Sequence, residues 1–124
     1  MLIENLIYLF TPCSPIIKEM GYLRESVSIM SRYSRCKRDW LDHLRKSRAT
    51  IKNAIGQAPA NGKVIIFGAG LGYDLPLTQL TSHFSQVLLV DLVHTLPIKA
   101  KALFNSNVEL VVRDVTESLI NIYE

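Results

Sequence analysis

The sequence predicts an α/β fold: a partial doubly wound parallel sheet of three strands, in the order β-α-β-α-β, behind a helical N-terminal segment. Three observations predict it. Short apolar runs at 63–67, 86–90 and 108–113 are separated by stretches of helical pattern. Strands alternating with helices favour parallel pairing through right-handed crossovers. The periodicity before Ala60-Asn61-Gly62 is helical and the pattern changes after this turn signal, which divides the chain into a helical segment 1–60 and an α/β half-domain 61–124.

In the first part, Pro12 and Pro15 break an opening apolar stretch, and Ser14-Pro15 fits an N-cap followed by the first helical position. Gly21 closes that short helix. A second helix is expected over about residues 23–33, and a longer one over about 36–55, ended by Gly56 and Pro59. Trp40, Leu41, Leu44, Ile51 and Ile55 recur at helical spacing on one face, opposite Lys37, Arg38, Arg45, Lys46 and Lys52. In the second part, Asp74 is expected to cap a helix starting at Leu75, with Pro76 in its first turn. A helix opens at Pro97, Asn105-Ser106-Asn107 turns the chain, and a last helix starts near Thr116. The strands are nearly continuous apolar runs, as expected for burial on both faces.

The chain has 124 residues, 48% apolar and 20% charged, the balance of one globular domain. No apolar run approaches the roughly 18 residues that span a membrane. The first ten residues carry Glu4 and no Lys or Arg, which argues against a signal peptide. Cys13 and Cys36 have no metal-ligand spacing and read as reduced thiols, consistent with a cytoplasmic protein. The charge is uneven. Residues 1–62 hold ten Lys/Arg against five Asp/Glu, whereas residues 63–124 hold four against six. The basic helical half, with Tyr33 and Trp40 interleaved, therefore offers a contact surface for nucleic acid or an acidic partner, next to the plainer reading of a solvated face. His43, His83 and His94 share no motif and read as surface or helix-packing residues.

The chemistry concentrates where strands end. Val64 to Phe67 runs into Gly68-Ala69-Gly70-Leu71-Gly72, glycine at every second position. Glycine at such a loop tolerates strained dihedrals and lets a ligand approach backbone closely. The spacing fails the dinucleotide fingerprint, because Tyr73 stands where a third glycine belongs. Asp91 ends the second strand, 19 residues after Gly72, and Asp114 follows the third. In a doubly wound sheet these carboxyl ends line one crevice. A carboxylate at Asp91 suits both hydroxyls of a ribose; Asp114 with the Val115 N–H suits the edge of a purine.

Gly68 to Gly72, Asp91 at its strand end and Asp114-Val115 together resemble the S-adenosylmethionine-dependent methyltransferases of the Rossmann-like class, over about residues 35–124. The resemblance implies that Gly68, Ala69, Gly70 and Gly72 lie against the methionine part of S-adenosylmethionine, that Asp91 holds the ribose, that Leu92 packs on the adenine, and that Asp114 and Val115 read its edge. It names no catalytic residue and no metal. Ile66 departs from the family pattern, which usually has an acid there. The family's fourth strand, which lies beside the first and shapes the acceptor site, has no counterpart in these residues. The first strand is then a sheet edge with few charges, so the chain is expected to pair with a copy of itself, to belong to a longer protein, or to fold its N-terminal helices over that edge. A non-catalytic cofactor-binding remnant or basic adaptor is the alternative to a methyltransferase.

Overall fold

The computed structural model describes residues 1–123. The elements run α1 (Leu2–Phe10), α2 (Pro15–Glu19), α3 (Tyr22–Arg35), α4 (Lys37–Gln57), β1 (Lys63–Phe67), α5 (Leu77–His83), β2 (Gln86–Asp91), α6 (Leu96–Leu103), β3 (Val108–Val112) and α7 (Leu119–Tyr123). The expected architecture is observed: a parallel sheet in the order β1-β2-β3, preceded by helices. Val64 pairs with Val87 and Val87 with Val108, so the apolar runs lie in register.

The register assigns the two faces. Val64, Ile66, Val87, Leu89, Val108 and Leu110 share one face, against which Ile55 of α4, Leu80 of α5, Phe84 and Ile98 of α6 pack. Both crossover helices fall on this side because the strand order advances in one direction and each crossover is right-handed. Val87 and Leu89 are wholly buried. The other face carries Lys63, Ile65 and Phe67 of β1, and here Ile65 is 54% and Phe67 63% exposed. On this second face β2 is half-buried at Leu88 and buried only at Val90, and β1 is open, because α4 packs on the opposite face of β1.

Helices α1 to α3 sit elsewhere. Leu23 and Val27 of α3 close on Val93, just after β2, with Ile7, Cys13, Ile17 and Met30 around them. The helical segment is thus anchored to the carboxyl end of the sheet, where ligands bind in such folds. Burial raises the Cys13 thiol above its usual range. Among the described residues, no helix is long and apolar enough to cross a membrane.

Local chemistry accounts for the departures from sequence expectation. Gly56 lies inside α4, which ends only at Ala58, in extended backbone at φ −86° and ψ 147°. Pro59 disfavours helical geometry in the residue before it, so the proline stops the helix and the glycine does not. Leu41 is 50% exposed, and lies with the cations of α4 rather than with buried Leu44 and Ile55. Pro76 acts in the same way on Leu75: α5 begins at Leu77, too far along for Asp74 to cap it, and Asp74 stays exposed. His94 is 1% exposed, inside the fold rather than on its surface, and its Nε2 lies 2.9 Å from the Val111 carbonyl oxygen.

Candidate cofactor site at the carboxyl ends of the strands

The glycine loop turns back on itself immediately after β1. Gly68, Gly70 and Gly72 have φ of 67°, 53° and 67°, the left-handed region that side chains rarely adopt. The Gly68 N–H donates to the Val90 carbonyl (2.9 Å) and the Gly72 N–H to the Ala69 carbonyl (3.0 Å). Ala69 and Leu71 point inward and are buried. The loop thus presents glycine backbone outward and anchors itself by the residues between. A Cβ on Gly68 would meet open space, whereas one on Gly72 would come within 3.0 Å of Ile98 Cδ1. Gly68 is free for an approaching ligand; Gly72 is there for packing.

Asp91 ties this loop to β2. Its Oδ2 accepts from the Gly70 N–H at 2.7 Å, and its Oδ1 from the Leu92 N–H at 2.7 Å. The β1 and β2 ends are held in register by one carboxylate. Each carboxylate oxygen has about two acceptor sites, so both oxygens keep capacity for a further donor.

Asp114 behaves differently. Its Oδ1 accepts from the Thr116 N–H (2.9 Å) and hydroxyl (2.7 Å), and its Oδ2 from the Leu119 N–H at 3.0 Å. The Thr116 hydroxyl and then the Leu119 N–H hold its carboxyl below the usual carboxylate range. The residue organises the loop that leads into α7, the role Asp favours ahead of a helix irrespective of ligand. One acceptor site remains on Oδ2.

Gly68, Asp91, Leu92, Asp114 and Val115 all line one cleft of about 230 Å³, together with Tyr22 of α3, Arg113, Thr116 and Leu119. A second cavity of about 480 Å³ lies on the other side of Gly68. It is walled by Gly68 to Asp74 and by Ile29, Trp40, His43 and Leu44 of α3 and α4. A third, of about 370 Å³, shares Leu92, Arg113, Asp114 and Leu119 with the first cleft. The structure therefore brings every residue of the sequence-derived site to one trough along the strand ends. The glycine cavity and the third cavity both fall within the 300–1,000 Å³ range of small-molecule sites.

Sequence reasoning missed that Tyr73 walls the glycine cavity beside Trp40. The Tyr73 ring stacks on Tyr33 with centroids 4.0 Å apart, and Trp40 lies 6.1 Å from Tyr33. Burial, and then the neighbouring Tyr33, raise the Tyr73 hydroxyl above its usual value. Arg48 of α4 donates to the Tyr73 carbonyl, so the long helix grips the end of the glycine loop. The aromatic residue directly after Gly72 was the available signal. Arg113, adjacent to Asp114, was missed as well; its guanidinium pairs with Glu117 at 2.7 Å.

Among the described residues, no group of His, Cys, Asp or Glu is arranged to hold a metal ion. No family model, curated protein or solved structure matches the chain.

Proposed function

We propose that the trough binds S-adenosylmethionine and that the chain serves methyl transfer. The observation that carries this reading is the clamp between Asp91 and the glycine loop: a carboxylate fixed by the Gly70 and Leu92 N–H groups beside the open backbone of Gly68. Ribose hydroxyls would donate to the remaining acceptor sites of Asp91. Leu92 would cover the adenine, while Asp114 and Val115, on the wall of the same cleft, would meet its edge. The methionine part would lie on Gly68 to Gly72, facing Trp40 and His43 across the larger cavity.

When bound, the cofactor supplies a methyl group already activated by its sulfonium. The chain's own residues then act by positioning and by excluding water, which suits a cavity walled by aromatic rings and backbone. Isothermal titration with S-adenosylmethionine and with its demethylated product tests the reading. Micromolar binding of both supports it; no heat at millimolar ligand, from protein shown to be folded, overturns it.

The exposed β1 also supports pairing of two copies. Ile65 and Phe67 stand in solvent on a strand that, among the described residues, has a partner on one side only. Such an edge templates further strands. A mass measurement at micromolar concentration that returns twice the chain mass, and returns to the chain mass in Ile65→Lys, supports the pairing.

A further inference from the structure

Asp74 stands on the wall of the glycine cavity without a structural task. Pro76 keeps it off α5, whose N-cap is Pro76 itself, with no side-chain cap bond. It joins none of the salt bridges among the described residues. Its place is nevertheless fixed from both sides. The Tyr73 carbonyl accepts from Arg48 and the Tyr73 ring stacks on Tyr33, while the Leu75 N–H donates to the Gly72 carbonyl at 3.3 Å. His43 of α4 lines the same cavity, and Ile29, Leu44 and Trp40 with the glycine loop make up most of the rest.

Gly68 borders both this cavity and the cleft that holds Asp91 and Leu92. A ligand with its sugar on Asp91 therefore carries its far end past Gly68 toward Asp74 and His43. The glycine N–H groups are already committed there: those of Gly68, Gly70 and Gly72 donate to Val90, Asp91 and Ala69. The side chains that the cavity offers a polar end are thus an acceptor-only carboxylate at Asp74 and, from α4, an imidazole with a ring N–H. An α-amino acid matches that pair, since its ammonium carries only donors and its carboxylate only acceptors. A purely apolar end would leave Asp74 and His43 without a partner, and a purely anionic end would be repelled by Asp74.

We infer that Asp74 recognises the amino-acid end of the ligand, its carboxylate accepting from the α-ammonium group while His43 donates to the α-carboxylate. This inference rests on the cofactor reading above. The test is calorimetry of the full chain with two probes. One is the demethylated product of S-adenosylmethionine; the other is 5′-methylthioadenosine, which keeps the nucleoside and the thioether but has no amino acid. The parent should bind the product at least about 10-fold more tightly, as expected for one charge-assisted hydrogen bond. Asp74→Asn keeps the size and removes the charge. It should weaken the product by about 10-fold or more and leave methylthioadenosine unchanged. His43→Leu should also weaken the product alone, by a smaller factor. Three results overturn the inference and leave the cofactor reading standing: equal affinity of the parent for both probes, unchanged product affinity in Asp74→Asn, or equal weakening of both probes in that variant. Failure of both probes to bind the folded parent overturns the cofactor reading and this inference with it.

Discussion

Asp91 and Asp114 stand at the carboxyl ends of neighbouring strands, yet their carboxylates hold different things. Asp91 reaches a backbone N–H 21 residues earlier and joins β2 to the glycine loop. Asp114 accepts from Thr116 and Leu119, inside its own loop. One acid stabilises a contact between elements; the other shapes a connection. Both border the same cleft, so position alone does not separate them. Their hydrogen bonds do: Asp91 holds in place the open glycine backbone on which the proposed cofactor would lie, whereas Asp114 caps a turn with or without a ligand.

The largest expected effect comes from the seat that Asp91 depends on. Leu89, wholly buried on β2 two residues before Asp91, loses its packing in Leu89→Ala at a cost of about 2–5 kcal/mol. Leu88, half-buried on the open face, should lose less than half as much. Urea unfolding of the two variants checks this. Equal losses would mean that the open face is covered and that the assignment of the two faces is wrong.

The glycines give the next effect and divide the loop as the two acids divide the strand ends. Gly70→Ala places a side chain at φ 53° with no close neighbour, so only the left-handed backbone is penalised, by about 1–2 kcal/mol. Gly72→Ala adds a Cβ 3.0 Å from Ile98, itself 1% exposed, and should be the more destabilising of the two. Thermal unfolding checks the order. The reverse order would indicate that Gly70 is held more tightly than its open surroundings allow.

The smallest effect belongs to Asp114. Its carboxyl pKa lies below the ordinary carboxylate value in the folded chain, so the loop gains from it fully at and above pH 5. The gain disappears as pH falls through the lowered value. Amide exchange at Thr116 and Leu119 should accelerate first in that acid range, while exchange at Leu89 holds. Parallel acceleration at both would place Asp114 in the core framework instead of in a local loop.

Much of the fold was legible in the residues. The three apolar runs, the turn signals at Gly62 and Asn105-Ser106-Asn107, and the Ser14-Pro15 start mark elements that depend on local pattern, and these elements form where expected. Errors arose where one local rule outweighed another. Pro76 kept Asp74 from capping, and Pro59 rather than Gly56 ended α4, because proline constrains its predecessor more strongly than a cap or a glycine directs the chain. The openness around Ile65 and Phe67 was not legible, since an apolar strand reads alike whether one face or two are covered. The same limit hid the burial of His94 and the position of Leu41. At the site, the glycine spacing and the two acids located the trough. The division of labour between the acids was not visible, because it depends on which N–H groups the folded backbone aims at each carboxylate. The stacking of Tyr73 on Tyr33, near Trp40, joins the glycine loop to the helices and has no sequence spacing to reveal it.

In the proposed S-adenosylmethionine site, Asp91 rather than Asp114 would anchor the ligand beside the glycine loop. Calorimetric affinity for that ligand in the parent chain, Asp91→Ala and Asp114→Ala tests it most directly. Losing two charge-assisted hydrogen bonds to the ribose should weaken binding by roughly 100-fold in Asp91→Ala. Asp114→Ala should weaken it less than about 10-fold, since Thr116 and Leu119 already take all but one of its acceptor sites. Circular dichroism would confirm that both variants keep the parent fold. Equal losses in the two variants, or an unchanged affinity in Asp91→Ala, would show that Asp91 does not hold the ribose.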